Sequence, residues 1–284
     1  MSEPEPRQGI DSIDVRNGYW SKSWQIPGTI YTICGYSRAA YRTGFYIKEL
    51  KLMLDAGPQN FSSPESIMVT HKHDDHLAEL ALTLIPSSPD SLVATVYAPV
   101  SAFAAIAAAA RGFPCLFKGL IPGDVRMIHN KNPMMVKVIK CDHSVDTISF
   151  AFSLIKTKLK SEFHGKKGKE LKQLKMDGVN ISEEILKKEF AFICDTSIHV
   201  FEMYPEIIEY PVIIVECTFL KDDEIQNAID TKHIHWSQLE PIVAKHPEIT
   251  FMLIHFSLRY GKDENIRDFF KEFKVKYPNL HCWA

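Results

Sequence analysis

The sequence predicts an α/β or α+β fold in which sheets and helices form layers. Two observations carry this prediction: six short apolar runs have the length and composition of buried strands, and helical patterns lie between several of them. The chain has 284 residues, 45% of them hydrophobic, which is enough to bury one large core. We therefore expect a single domain over residues 13–284.

The six apolar runs share a second property, because each of them stops at a side chain that can bind a metal ion or carry a proton. Buried strands place functional groups on the loops at their ends. We therefore expect the six endings to meet at one rim of a layered sheet structure. In chain order these endings are Asp55, His71, His143, Asp195, Glu216 and His255.

Helical spacing is clearest in three segments. Leu77, Leu80 and Leu84 share one face of DHLAELALTLI, and similar apolar faces occur in WSQLEPIVAKH and in DENIRDFFKEFKVKY near the C-terminus. The alanine-rich stretch 98–110 also predicts a packed helix. That stretch is shorter than the roughly 20 residues that a membrane span needs, so we expect no membrane segment.

Composition narrows the choice of cellular compartment and of binding partners. The six cysteines form no CxxC pair, and a chain of this length needs no disulfide framework, so we expect a reducing, cytoplasmic environment, with the nucleus as an alternative. Residues 1–12 are acidic and contain proline, lack the basic and apolar regions of a secretory signal, and predict a disordered tail. The net charge of −2 means that any affinity for nucleic acid must come from a local patch.

One segment supplies such a patch. The stretch KTKLKSEFHGKKGKELKQLK, at 156–175, holds eight lysines and two glutamates, a net charge of +6 that leaves −8 for the remaining chain. We expect an exposed loop or arm at about 156–180, inserted between the strands that end at His143 and Asp195. Charge alone supports a solvated loop and an RNA-binding arm equally.

The segment THKHDDH, at 70–76, is the strongest chemical signal. In H-x-H-x-D-H, His71 and His73 lie two apart at the end of a strand and can point to the same side, while Asp75 and His76 follow as the chain enters a helix. Imidazole with carboxylate suits Zn²⁺, and less specifically Mn²⁺ or Fe. Two close metal ions suit hydrolysis of a phosphoryl or acyl bond. A solvated polar turn is the alternative, and three distant candidate ligands, His143, Asp195 and His255, argue against it.

Through THKHDDH the sequence resembles the metallo-β-lactamase superfamily. Within that superfamily it resembles the short form of the ribonuclease Z family, the tRNA 3′-processing endonucleases. The more specific matches are ECTF at 216–219, HFSLRY at 255–260, HWS at 235–237 and CDT at 194–196. The resemblance covers roughly residues 27–262. It implies a four-layer αβ/βα sandwich with a lysine-rich inserted arm and a site for two zinc ions.

The resemblance also implies a role for each matching residue. His71, His73 and His143 would hold one zinc ion, Asp75, His76 and His255 the other, and Asp195 would bridge them. Asp75 would orient the attacking water, Glu216 and His235 would protonate the leaving 3′ oxygen, and Asp55 would steady a ligand histidine. Ser257 and Arg259 would contact phosphate, the arm, including Lys166, Lys167 and Lys169, would grip precursor tRNA, and the chain would form a homodimer.

Several positions depart from the family pattern and leave the substrate open. Asp74 and Cys194 each replace a glycine, and Trp236 replaces a serine. His233 rivals His235 as the partner of Glu216, and we favour His235 because it directly precedes Trp-Ser. The alternatives to tRNA processing are a general ribonuclease, a hydrolase of small molecules such as a cyclic-nucleotide phosphodiesterase or a β-lactamase-like enzyme, and an RNA-binding protein with a degenerate site.

Overall fold

A computed structural model describes residues 18–60, 62–86, 93–129 and 133–284. The predicted disordered tail, residues 1–12, lies outside these ranges. The chain divides into two compact units. The first contains the described residues up to Ile26 together with Ile30–Lys118, and the second contains Pro27–Thr29 and Gly119–Ala284.

The first sheet has seven strands among the described residues, and their order in the sheet follows the chain. Pairing is antiparallel from the first strand to the fourth and parallel from the fourth to the sixth. The strands are β1 (Ser23–Gln25), β2 (Thr32–Arg38), β3 (Arg42–Ile47), β4 (Leu52–Leu54), β5 (Ser66–Met68), β6 (Thr95–Pro99) and β7 (Leu116–Leu120).

The helices of the first unit are short. They are α1 (Asp74–Leu77), α2 (Leu80–Thr83) and α3 (Phe103–Ala110). The single helix expected from DHLAELALTLI is broken at Glu79, because the Glu79 N–H donates to the carbonyl of Ala56, at 3.0 Å, instead of continuing the helix. Apolar residues of these helices, such as Leu80 and Ile106, pack with strand residues such as Met53, Ile67 and Val96 in one buried core.

The second sheet also has seven described strands, and antiparallel pairing gives way to parallel pairing along it. In spatial order the strands run β14, β13, β12, β11, β10, β9, β8. The four from β11 to β14 are parallel neighbours, and β8 to β11 pair antiparallel. Their bounds are β8 (Val125–His129), β9 (Met134–Lys140), β10 (Ile148–Leu159), β11 (Ser182–Ile193), β12 (Val212–Glu216), β13 (Thr250–Ile254) and β14 (Leu280–Cys282).

The helices of the second unit pack through aromatic and aliphatic side chains. Trp236 contacts Phe270 and Phe273 edge to face, with ring centroids 5.0 and 5.1 Å apart, and Leu239 and Val243 share the same buried core. Large buried side chains of this kind each contribute about 1.5–3 kcal/mol. The helices are α4 (Gly168–Met176), α5 (Val200–Met203), α6 (Ile225–Thr231), α7 (Trp236–Lys245), α8 (Asp263–Phe269) and α9 (Lys271–Lys276).

The lysine-rich segment is more regular than a loop. β10 and β11 are twelve residues each, buried in the half that belongs to the sheet and largely exposed in the half that extends away from it. The exposed helix α4 lies between them, and no residue of α4 is buried. The predicted arm therefore consists of a two-stranded extension and a helix.

Two further observations concern membrane-spanning helices and disulfide bonds. Within the described ranges, every helix is too short or too polar to cross a membrane. All six cysteines lie in these ranges, and none of them is in a disulfide.

Candidate functional site

The first set of candidate ligands lies on the loop between β5 and α1. β5 ends at Met68, and the chain reaches α1 at Asp74, so the loop carries His71 and His73 while Asp75 and His76 begin the helix. His71 Nε2 lies 2.9 Å from His73 Nδ1, and the rings of His71 and His76 are 4.2 Å apart between centroids. Asp75 Oδ2 lies 3.5 Å from His76 Nε2. The structure thus brings all four residues of H-x-H-x-D-H together.

A buried carboxylate supports this loop. Asp55 directly follows β4 and is completely buried. Its Oδ1 accepts from the Thr70 N–H at 2.7 Å, and its Oδ2 lies 2.9 Å from Nδ1 of His76. Thr70 Oγ1 lies 3.0 Å from Asp55 Oδ2 and 2.9 Å from His71 Nδ1. Asp55 therefore occupies a position suited to orienting a ligand histidine.

Gly57 explains how closely this loop approaches the strands. A Cβ at Gly57 would lie 2.0 Å from the carbonyl oxygen of Asp75 and 2.6 Å from backbone atoms of Thr43. The neighbouring Ala56 N–H donates to the His76 carbonyl at 2.7 Å. A side chain at position 57 would therefore displace the turn that carries Asp75 and His76.

The second set of candidate ligands lies at one edge of the second sheet. β9, β11, β12 and β13 run in the same direction; at that end of the strands Glu216 is the last residue of β12, and His143, Asp195 and His255 follow the other three. Asp195 Oδ1 lies 3.2 Å from His255 Nε2, and Asp195 Oδ2 lies 3.8 Å from His143 Nε2. His143, Asp195 and His255 are all buried. The topology thus gathers side chains that are far apart in the sequence.

Backbone strain marks both sets of residues. Asp55, Asp195 and His255 have φ values of 57°, 39° and 65°, in the left-handed region that non-glycine residues rarely adopt. Such conformations cost about 1–3 kcal/mol each and persist where the surrounding contacts enforce them, often at functional sites. Each of these three residues is a candidate ligand or supports one, which is consistent with a constrained site.

Burial sets the protonation of the groups around the second set. It lowers the pKa of His143, although the charge of Asp195 opposes this, so the neutral imidazole that a metal requires is favoured. Burial raises the pKa of Cys141 to about 12 and that of Cys217 well above its usual value. Burial therefore keeps these two thiols protonated at neutral pH.

Glu216 is a completely buried acceptor. Its Oε1 accepts from Thr196 N–H at 2.8 Å and lies 2.7 Å from His233 Nδ1, and its Oε2 accepts from the Thr218 hydroxyl at 2.6 Å. Burial alone would raise the pKa of Glu216, but the charge of His233 and its hydrogen bond outweigh this effect and lower it. Glu216 is therefore an ionised carboxylate that orients His233.

This geometry corrects the predicted pairing of Glu216 with His235. His235 Nε2 donates to the Lys221 carbonyl at 2.8 Å, and its Nδ1 accepts from Ser237 N–H at 3.1 Å and Ser237 Oγ–H at 2.8 Å. Nδ1 of His235 thus caps the start of α7, and Nε2 is held by the Lys221 carbonyl, so both ring nitrogens already have partners. The partner of Glu216 is His233, the residue that we ranked second.

The predicted substrate-binding residues are in two places. Ser257 and Arg259 follow β13, where the Arg259 Nε–H donates to Ser257 Oγ at 3.1 Å and an Arg259 amino group donates to Glu224 at 2.9 Å. Lys166, Lys167 and Lys169 are all exposed at the start of α4. No sequence motif indicated Glu224, and nothing in its position marked it apart from its proximity to ECTF.

Thr70 and Thr218 are further residues of the candidate site, and the sequence motifs did not single them out. Both adjoin a recognised motif residue, since Thr70 precedes His71 and Thr218 lies two residues after Glu216. Each threonine hydroxyl lies 2.9 Å from Nδ1 of a candidate ligand histidine, His71 or His255. Each hydroxyl therefore connects a buried carboxylate to a candidate ligand histidine, an arrangement that composition alone does not indicate.

Comparison with known proteins identifies similar chains. No protein-family model matches the chain. A curated relative, tRNase Z TRZ1 of Arabidopsis thaliana, is 29% identical over 259 residues, which cover 86% of this chain and 90% of the relative. This similarity confirms the resemblance to ribonuclease Z that the motifs predicted.

Solved structures establish the fold. The metallo-β-lactamase fold protein YhfI from Bacillus subtilis superposes with a TM-score of 0.58 at 14% identity, covering 88% of this chain and 94% of that one. Human tRNase Z, short form, superposes with a TM-score of 0.50 at 17% identity, covering 80% of this chain and 92% of that one. The predicted fold class is therefore confirmed: the chain has the metallo-β-lactamase fold.

Proposed function

We propose that this chain, which has the metallo-β-lactamase fold, is a metal-dependent endoribonuclease that removes the 3′ trailer from precursor tRNA. The observation that carries the proposal is the similarity to tRNase Z TRZ1, because it extends over nearly the whole length of both chains. The histidine and carboxylate side chains at the ends of strands in each unit fit the same chemistry.

Two metal ions are the proposed cofactors, with zinc preferred and Mn²⁺ or Fe as alternatives. His71, His73 and His143 would hold one ion, Asp75, His76 and His255 the other, and Asp195 would bridge them, an assignment that rests on motif position. The residues fit such ions, because their donors are imidazole nitrogens and carboxylate oxygens supported by buried hydrogen bonds. The bound ions would supply Lewis acidity at the scissile phosphate and would activate the attacking water at neutral pH.

Protein side chains would then direct the proton transfers. Asp75, whose side chain is 14% exposed, orients the water that attacks phosphorus. As the bond from phosphorus to the 3′ oxygen breaks, His233 Nε2 donates a proton to that oxygen. Glu216 holds His233 through Nδ1, which fixes the ring orientation and stabilises its charged form. The upstream RNA thus ends in a 3′ hydroxyl, and the trailer keeps the phosphate.

RNA contacts are proposed at two places. The exposed lysines of the arm, Lys166, Lys167 and Lys169, neutralise phosphates of the tRNA backbone, and an A-form helix is recognised there by shape and charge. Ser257 and Arg259 contact the phosphate to be cleaved. Resemblance to the family also supports a homodimer, and the absence of disulfides among the six cysteines supports a reducing compartment such as the cytoplasm.

The decisive experiment incubates the zinc-loaded protein with a 3′-extended precursor tRNA, with a linear RNA of equal length, and with bis(p-nitrophenyl) phosphate. Asp75→Asn is the matched inactive variant, because it keeps the size of the side chain. We expect cleavage of the precursor alone, at the junction with the trailer, and loss of cleavage in the variant. Equal cleavage of both RNAs would leave a general ribonuclease, and turnover of the small diester alone would establish a small-molecule hydrolase.

A further inference from the structure

Glu224 is a buried carboxylate outside the sequence motifs. It lies in the turn between β12 and α6, and it is 5% exposed. Its Oε2 accepts from Lys221 N–H at 3.0 Å and Leu220 N–H at 3.3 Å, and it also accepts from the Tyr260 hydroxyl. Three donors therefore fix this carboxylate independently of any cation.

The other oxygen of Glu224 faces Arg259. Glu224 Oε1 accepts from an Arg259 amino group at 2.9 Å, and Arg259 Nε–H donates to Ser257 Oγ at 3.1 Å. The guanidinium also lies 5.0 Å from the centroid of the Phe219 ring. Three different contacts thus define the plane of the Arg259 guanidinium, although its side chain is 46% exposed.

Stability is a weak explanation for this arrangement. An ion pair with one half-exposed partner contributes little to folding, because water already solvates the cation. A buried carboxylate with four donors is costly to desolvate. Orientation is the stronger explanation, because the planar fork of an arginine recognises the oxygens of a phosphate only when it is correctly aligned.

We propose that Glu224 is a positioning residue that orients Arg259 toward the phosphate of the substrate. The inference rests on the proposed function in one respect, namely that Arg259 contacts a phosphodiester. The carboxylate links the loop after β12 to the loop after β13, and these loops carry Thr218 and His255. Glu224 therefore aligns Arg259 relative to groups that surround the reacting bond.

Whether Glu224→Gln strengthens or weakens RNA binding distinguishes a positioning role of Glu224 from an effect of its charge alone. Glu224 is negative and so is RNA, so if Glu224 acted only through its charge, Glu224→Gln would strengthen RNA binding. If Glu224 positions Arg259, the same variant weakens binding even though it removes a negative charge. Glu264→Gln is the matched control, because it breaks the exposed Arg267–Glu264 pair on α8, in the same unit.

The experiment measures the Kd for precursor tRNA, and the KM and kcat for its cleavage, with wild type, Glu224→Gln, Arg259→Lys, Arg259→Ala and the double variant Glu224→Gln/Arg259→Ala. Losing one oriented, charge-assisted contact changes affinity by about tenfold. We expect Glu224→Gln to raise Kd and KM about tenfold, with kcat within about threefold of wild type. Arg259→Lys should also raise Kd and KM about tenfold, although it leaves Glu224 intact. The Kd and KM of the double variant should be no higher than those of Arg259→Ala.

Several results would overturn the inference: tighter binding by Glu224→Gln, wild-type affinity in Arg259→Lys, or additive losses in the double variant. An equal loss in Glu264→Gln would do so too. The same variants are assayed with bis(p-nitrophenyl) phosphate. If wild type ignores RNA but Glu224→Gln raises KM for the small diester, the proposed function fails and the inference stands. If the KM for both substrates is unchanged in Glu224→Gln, the inference fails.

Discussion

The two units contain the same local arrangement around a candidate ligand. In the first, the Thr70 hydroxyl lies between the carboxylate of Asp55 and Nδ1 of His71. In the second, the Thr218 hydroxyl lies between the carboxylate of Glu216 and Nδ1 of His255. A hydroxyl that donates to a carboxylate must accept from the imidazole. Each histidine therefore carries its proton on Nδ1 and keeps the lone pair of Nε2 for a metal ion.

The two arrangements differ in how the chain builds them. The first ligand set occupies six consecutive positions, from His71 to His76, and a single loop places them. The second set is spread from His143 to His255, and three parallel neighbouring strands and a fourth strand bring it together. A local motif thus defines one set, whereas only the topology of the sheet defines the other.

If both sets serve one reaction, removing a ligand from either must have the same result. We expect His71→Ala and His255→Ala each to lower kcat/KM for precursor cleavage by roughly 10³-fold or more, as losing a central group does in other hydrolases. Metal content measured on the purified variants should fall in both. Near-normal turnover by one variant would show that the candidate ligands of that unit take no part in the reaction, so the two sets would not be equivalent.

The next largest effect should separate His233 from His235. We expect His233→Ala to lower kcat about 10²- to 10⁴-fold, the usual value of a general acid, while metal content stays at the wild-type level. His235→Ala should instead lower the free energy of unfolding by about 1 kcal/mol through loss of the helix cap, with kcat nearly unchanged. Steady-state kinetics and urea unfolding of both variants test this assignment. A larger loss of kcat in His235→Ala would restore the original pairing.

That pair of histidines shows where prediction from sequence ends. The strands and the candidate ligands at their ends were predictable because an apolar run followed by a polar side chain is a local pattern. The choice between His233 and His235 was not, because it depends on the contact of His235 with Phe219 across a β-bridge and on the start of α7. The Lys221 carbonyl and Ser237 at the start of α7 occupy the two ring nitrogens of His235, while His233 lies beside Glu216.

The contacts of Glu224, Thr70 and Thr218 could not be predicted from the sequence for a similar reason. Their roles come from donors brought by distant segments, such as the Tyr260 hydroxyl to Glu224 and Nδ1 of His255 to Thr218. The broken helix at Glu79 follows the same rule, because a hydrogen bond to Ala56 overrides a strong local helical pattern. Long-range contacts therefore account for most differences between the predicted and the observed site.

The shared threonine arrangement predicts a smaller, matched effect. Thr70→Val and Thr218→Val remove the hydroxyl with little change of shape, and each should lower metal affinity about 10- to 100-fold, as changes of residues that orient ligands usually do. Competition with a chromophoric chelator measures this affinity. Thr231→Val is the control, because the Thr231 hydroxyl donates to the Asn227 carbonyl on the exposed surface of α6. If only one buried threonine responds, the likeness of the two units has no functional meaning.

The smallest effect concerns a charge pair that serves neither set of ligands. Lys137 donates to Glu206 at 2.5 Å; this hydrogen bond, opposed by partial burial, lowers the pKa of Glu206. A lowered pKa in the folded state stabilises the fold above the unfolded value of about 4.3, and this contribution is lost as the pH falls through the folded-state pKa. Lys137→Met should therefore lower the free energy of unfolding by at most about 1 kcal/mol near neutral pH, since both side chains are about one-third exposed, and by less in acid.

Urea unfolding of wild type and variant at about pH 7, pH 5 and pH 3.5 measures the difference, and metal affinity should be unchanged. A difference that grows toward acid pH would contradict the lowered pKa of Glu206, and a change in metal affinity would show that contacts outside the two ligand sets also control the site.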